Sequence, residues 1–330
     1  MQTTPDRSCS IFGAMAVGDR IAYESSRRSD PSIREQKTLF VGAVSNSQQS
    51  GARVPKGTIA AVSYYSACAF TLWISLVATG CDARSKATAP SVQANQRELS
   101  VAAASDLRFA LDRIIADFEK RHPNVRVKVT YGSSGNFYAQ LSNRAPFDLF
   151  LSADISYPQK LADAGLADKN SIFTYGIGSL VVCARKDSKL DIESLGMDVL
   201  TDPSIQKIAI ANPRHAPYGR AAEAALKHFK LYDQVAERLV MGENVAQTAV
   251  FVESGSADVG MIARSLAMAP VYRNSLKSWR IPQLAHPRLE QGGVILSWSG
   301  NSEIAKQFCD SLIDERGRTI LTEDGFDLPD

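Results

Sequence analysis

The chain has 330 residues, 45% of them hydrophobic, enough for one large or two medium domains with true cores and unlike a disordered or disulfide-stapled class. Its 37 basic and 35 acidic residues nearly cancel and no Lys or Arg block stands out, so composition gives no reason to invoke nucleic acid and any anion site must be local. The five cysteines, Cys9, Cys68, Cys81, Cys183 and Cys309, form no C-x-x-C pair and no zinc spacing with histidine, so neither a structural metal nor a cofactor is expected.

Residues 1–57 are rich in Ser, Gln, Arg and Gly without a sustained apolar period, and read as a disordered or mistakenly translated leader. From Thr58 to Gly80 no residue is charged, a run long enough to cross a bilayer. It ends in Ala78-Thr79-Gly80 directly before Cys81, which resembles a bacterial lipoprotein cleavage box, with Ala78 where leucine is usual. The Cys81 thiol would then carry the lipid. A cleaved soluble protein and an uncleaved helix are the alternatives. A start at Val54 would leave Pro55-Lys56-Gly57 as a short basic leader. Asp82 resembles the residue that keeps lipoproteins at the inner membrane, and residues 81–98 read as a polar linker.

Beyond the linker the pattern becomes an alternation of strands and helices. The apolar run 99–104 predicts a buried strand, and Ser105 to Arg121 a helix whose Leu107, Ala110, Leu111, Ile114, Ile115 and Phe118 share one face. Val125, Val127, Val129 and Tyr131 alternate with polar residues, the period of a strand, and a helix follows from Ser134. Further strands are expected at Phe147 to Ser152, Gly178 to Ala184, Ile208 to Ala211 and Val259 to Ala263. Helices are expected at Tyr157 to Gly165, Arg220 to Phe229 and Val245 to Glu253. Such alternation predicts an α/β fold with mainly parallel sheets.

Four helix starts share one chemistry: A-A-A-S-D-L at 102–107, Y-G-S-S-G-N at 131–136, H-A-P-Y-G-R at 215–220 and G-E-N-V-A-Q at 242–247. A helix start has unpaired N–H donors and the positive end of the helix dipole, so it holds an oxyanion without a cation. Ser105 and Ser134 would add hydroxyls, and Gly132 and Gly135 allow close backbone approach. Ser105, Asn244 and Pro217 equally suit ordinary cap and first-turn positions, and the sequence does not show that the four starts converge. His215 suits a loop-stabilising role better than a ligand contact. Trp279 and Trp298 suit packing, and Cys183 a buried small hydrophobe.

The runs V-A-A-A-S-D-L-R-F-A-L at 101–111, T-Y-G-S-S-G-N-F at 130–137, A-P-F-D-L-F-L-S-A-D at 145–154 and N-P-R-H-A-P-Y-G at 212–219 together resemble the periplasmic molybdate-binding proteins of ABC transporters. The resemblance spans Leu99 to Asp330. It implies a two-lobed periplasmic-binding-protein fold with the ligand cleft between lobes, one lobe from 99–178 and 284–330, the other from 179–283. It implies a monomer that binds molybdate or tungstate and serves an inner-membrane ABC permease. Carried over residue by residue, Ser105 and Ser134 would give hydroxyls to the anion, and Tyr218 and Val245 backbone N–H groups, the metal being reached only through its oxygens. Many members place a tyrosine ligand where Ala263 stands. Asp106 through its N–H, or Tyr218 through its hydroxyl, would substitute.

The anion's identity turns on Asp106. A carboxylate facing the cleft would repel a bare dianion and suit phosphate, which carries a proton. One turned outward as a first-turn charge leaves a pure donor set for molybdate, and outward is the expectation. The alternatives are a receptor for phosphate or sulfate and an enzyme with Ser133 or Ser134 as nucleophile. Against the enzyme, G-S-S-G lacks the G-x-S-x-G elbow and no histidine is placed as base.

Overall fold

The computed structural model describes residues 96–329. The leader, the apolar segment 58–80, Cys81 and the linker as far as residue 95 lie outside the described residues. Among the described residues no helix is long and apolar enough to cross a membrane.

The chain builds one five-stranded sheet, crosses to build a second, and crosses back. The first sheet takes β1 (Arg97–Ala104), β2 (Val125–Gly132), β3 (Leu149–Ser152) and β4 (Phe173–Gly178). Ser179 makes the crossing, and the second sheet takes β5 (Leu180–Arg185), β6 (Ile208–Ala211), β7 (Leu239–Gly242), β8 (Val259–Ala263) and β9 (Leu276–Arg280). Residues 281–288 lead back to β10 (Leu289–Ile295) in the first sheet. The orders are β2-β1-β3-β10-β4 and β7-β6-β8-β5-β9. In each sheet one strand runs against the other four: β10 is antiparallel to β3 and β4, and β5 to β8 and β9. Each reversed strand is the one with which the chain enters a sheet after crossing. The fold is therefore α/β, with mixed sheets that are mainly parallel.

Helices cover both faces of the first sheet, which is why β1 reads as an unbroken apolar run. Side chains of a strand point alternately to its two faces. Accordingly Leu99, Val101 and Ala103 enter a core with Leu111, Ile114 and Phe118 of the helix Arg108–Arg121 and Phe308 of the helix Ser302–Ile313. Ala102 points the other way, to Phe137, Leu141 and Leu161. The edge strand β2 keeps Arg126 and Lys128 exposed, charges that discourage pairing with another chain. Cys183 and Cys309 are free and buried, one on β5 and the other on Ser302–Ile313.

Elements that the sequence pattern leaves out are β4, β7, β9, β10, the short helices Ile192–Leu195, Tyr232–Val235, Arg264–Met268 and Pro270–Arg273, and the two C-terminal helices, Ser302–Ile313 and Glu315–Glu323. L-E-Q-G-G-V-I in β10 is interrupted by two polar residues and a glycine pair, so it resembles a turn more than a strand. Residues 105–107 form a 3-10 turn before the α-helix starts at Arg108, and the helix expected from Arg220 already begins at Pro217.

The C-terminal segment is tied to the crossing. Ile177 and Asp327 exchange backbone hydrogen bonds, and the Asp327 carboxylate meets Ser179 Oγ and the Arg280 guanidinium. Thus Asp327 ties the crossing residue Ser179 and the end of β9 through its carboxylate, and β4 through its main chain.

Phe118 is fully buried, edge-on to Phe308 at 5.1 Å between centroids. Phe118→Ala is expected to destabilise the protein by roughly 3–5 kcal/mol through lost transfer energy and the cavity left behind. Urea denaturation followed by circular dichroism measures it.

Candidate functional site

In each sheet two neighbouring parallel strands, β1 beside β2 and β6 beside β7, end on the same edge and each leads into a helix start. Ligands of open α/β sheets bind outside such carboxyl ends. Here the two edges face each other. Ala104, Ser105 and Asp106, Gly132 to Ser134, Ala216 to Tyr218, and Asn244 with Val245 line one cavity of about 10 Å³, which Ala153 completes. A space of that size holds one compact group and no extended solute. The four helix starts therefore converge, and none of the lining residues is Lys, Arg or His.

The donors fall out of local geometry. Ser134 opens the helix Ser134–Ser142, and its Oγ accepts the Ala153 N–H at 3.0 Å. Ser105 Oγ accepts the Ala246 N–H from across the cleft at 3.4 Å, so Ser105 is not a cap of its own helix. A hydroxyl that accepts from the protein keeps its proton for another acceptor, and both hydroxyls line the cavity with that proton to give. Asn244 caps the helix Val245–Glu253 by accepting from Gln247 N–H at 3.0 Å, which leaves the Val245 N–H, at the first helical position, without an intrahelical acceptor. Pro217 opens the helix Pro217–His228 with a residue that has no N–H, and Tyr218 follows with one in the same condition.

Asp106 does not turn outward. It is 1% exposed, and its Oδ2 accepts from Gln291 Nε2 at 2.5 Å while Oδ1 has no partner. The expectation of a solvent-facing charge fails because residues 105–107 turn as a 3-10 segment under the second lobe, where Ser265 Oγ donates to the Asp106 carbonyl at 2.9 Å. Burial pushes the carboxyl up to about 6, against hydrogen bonds from Gln291 and Tyr218 that pull it down. The Tyr218 hydroxyl is committed to this cluster: it donates to Asp106 and accepts from Gln291 Nε2 at 3.1 Å. Burial beside Asp106 holds it well above the usual tyrosine range. Ala263, where many members of the family it resembles place a tyrosine, lies buried at the end of β8 outside the lining.

Gln291 is the site residue that sequence reading missed. It is fully buried on β10, donates to Asp106 and Tyr218, and its Oε1 accepts from the Tyr175 hydroxyl at 3.1 Å. A lone glutamine beside two glycines in an apolar strand was the available signal. Gly178 makes room for this cluster, since a Cβ there would stand 2.3 Å from the Tyr218 hydroxyl.

The lobes touch around the cavity. The His215 carbonyl accepts from Gly135 N–H at 2.9 Å and from Ser133 Oγ at 2.6 Å, and His215 Nδ1 lies 3.0 Å from the same Oγ. His215 therefore holds the loop and does not line the cavity. Gly135 permits the approach, because a Cβ would stand 2.5 Å from the His215 carbonyl oxygen. On the other rim Arg220 pairs with Asp154 at 2.7 Å and donates to the Tyr157 hydroxyl at 3.1 Å.

The model of the bacterial extracellular solute-binding proteins matches residues 99–327. The chain belongs to that family. The molybdate-binding protein ModA of Azotobacter vinelandii is 31% identical to this solute-binding protein over 235 residues, covering 71% of this chain and 92% of its own length. The putative ABC transporter substrate-binding lipoprotein YvgL of Bacillus subtilis is 27% identical across 79% of this chain and 97% of its own. Among solved structures, the periplasmic molybdate-binding protein of Azotobacter vinelandii superposes with a TM-score of 0.66 at 32% identity, over 70% of this chain and 100% of that one.

Asp106 gives the solute-binding protein a pH-dependent stability. An acid whose folded-state pKa exceeds its unfolded value contributes stability that is complete below about 3.8 and is lost as pH rises through about 6. A difference of that size is worth on the order of 3 kcal/mol. Asp106→Asn is accordingly expected to stabilise the protein at pH 8 by up to about that amount, with the gain closing by pH 4. Urea melts at pH 4, 6 and 8 give the comparison.

Proposed function

We propose that this protein binds molybdate outside the cytoplasm and hands it, as a monomer, to the permease of an inner-membrane ABC transporter. The observation that carries the reading is the convergence of four helix starts on one compact cavity whose lining holds no Lys, Arg or His. A fully ionised dianion asks only for donors, and helix N-termini supply them with a favourable dipole. Ser105 and Ser134 offer hydroxyls, Tyr218 and Val245 main-chain N–H groups, and Asp106 its own N–H. All reach the oxygens of the anion. Tungstate, of nearly the same size and charge, fits the same donors. The family is one of binding proteins, and the similarity to molybdate-binding relatives supports this anion over others.

The two hydroxyl donors and the Asp106 N–H belong to the lobe of residues 99–178 and 284–330, and the N–H donors of Tyr218 and Val245 to the lobe of residues 179–283. Only apposed lobes complete the set, so the ligand favours the apposed arrangement. Export through the segment 58–80 and lipidation at Cys81 would keep the protein at the membrane that holds the permease; similarity to a lipoprotein relative supports that reading.

A receptor for phosphate is the second reading, because a buried carboxylate beside the cavity is a ready acceptor for the proton that phosphate carries. Calorimetric titration of the purified protein with molybdate, tungstate, sulfate and phosphate decides between them. Tight binding of molybdate and tungstate is expected; preference for phosphate overturns the main reading. Ser134→Ala is expected to weaken molybdate binding by about 1–3 kcal/mol, since it removes a donor to a buried charge.

A further inference from the structure

Asp106 lines the cavity with a carboxyl group whose Oδ1 is buried and has no hydrogen-bond partner. Its neighbours offer no positive charge. From the helix Pro217–His228 it meets the Tyr218 hydroxyl, from β10 the Gln291 amide, and behind Gln291 stands Tyr175 of β4. The helix Arg264–Met268 presents the neutral Ser265 hydroxyl, while Arg264 is turned to the Gly325 carbonyl and Asp327. Arg108, which follows in the chain, lies over the Tyr131 ring. The charged residue of the helix Val245–Glu253, Glu253, is at its far end.

Given the oxyanion reading above, on which this rests, we propose that Asp106 holds the ligand as a neutral carboxylic acid, its Oδ1–H donating to a ligand oxygen, so that each dianion enters with one proton. The proton comes from solvent on binding and returns to solvent on release. An ionised carboxylate can only accept hydrogen bonds, and a dianion has none to give; protonated, the same group becomes one more donor in a cavity otherwise lined by donors. Like charges in contact favour the neutral form of the weaker acid. Burial, even against the hydrogen bonds from Gln291 and Tyr218, already brings this carboxyl up to about 6 before any anion is present.

The sign of the linkage follows. The bound anion raises the proton affinity of Asp106 further, so the complex binds more protons than the free protein from about pH 6 up to the higher pH at which the group ionises in the complex. Affinity is then highest and level below that pH and falls by up to about tenfold for each unit above it, until the group ionises in the complex as well. The arrangement also selects among ligands. A hydrogen phosphate ion brings its own proton to an ionised Asp106 and needs none from solvent, so its binding lacks this fall.

The test is calorimetry of sodium molybdate with the purified full chain from pH 6 to 9, in paired buffers of different ionisation enthalpy, repeated with Asp106→Asn. The expected result for the parent protein is a fall of up to about tenfold per pH unit and an enthalpy that varies with the buffer as required by uptake of up to one proton. In Asp106→Asn both dependences are expected to vanish. Binding by the parent protein that is independent of pH and buffer overturns the proposal alone, as does an unchanged profile in Asp106→Asn. Failure of molybdate to bind at any pH overturns molybdate binding itself and the proposal with it.

Discussion

A helix cannot pair the N–H groups of its first turn, and a parallel strand carries that turn to the edge where its neighbour carries another. Everything at the cavity depends on this constraint. β1 with β2, and β6 with β7, each set two helix starts side by side, and the two crossings of the chain bring the pairs face to face. Small residues at the strand ends, Ala104, Gly132 and Gly242, keep the approach open. The result is a concentration of donors without a cation, suited to a charged ligand that must later be released. A guanidinium in the same place would hold an anion through a charge-assisted pair that is harder to give up.

The contacts around the cavity come in two kinds. On the rims, His215 with Ser133 and Gly135, and Arg220 with Asp154, join the lobes through neutral hydrogen bonds and a partly exposed ion pair, each worth about 1 kcal/mol or less. Beneath the cavity, Asp106, Gln291, Tyr218 and Tyr175 form a buried polar chain that runs from the first sheet to the second lobe. Weak rims permit the lobes to part, whereas the buried chain fixes where they meet.

Much of this was legible in the sequence, for physical reasons that differ by element. The alternation of β2 and the apolar face of Arg108–Arg121 declare themselves because each element has one exposed side. The four helix starts are visible because Ser, Gly, Pro and Asn are demanded by backbone geometry there. What stayed hidden depends on contacts between distant parts of the chain. Their convergence needs the topology, and the inward turn of Asp106 needs Gln291, separated from it by nearly the whole fold. β10 was missed for the same reason: Gln291, Gly292 and Gly293 break an apolar pattern in order to serve neighbours that only the folded chain supplies.

Val245 and Tyr218 meet the cavity at helix starts where the main chain carries the donor. A donor of that kind belongs to a position and not to an amino acid. Any side chain that keeps the first helical turn intact leaves the N–H in place, so inheritance can vary the letter at residue 245 while conserving the contact. In the proposed binding mode Ser105 and Ser134 have no such freedom, because there the hydroxyl itself is the donor. Divergence within such a site is therefore uneven: half of it evolves as a spelling and the other half as a shape.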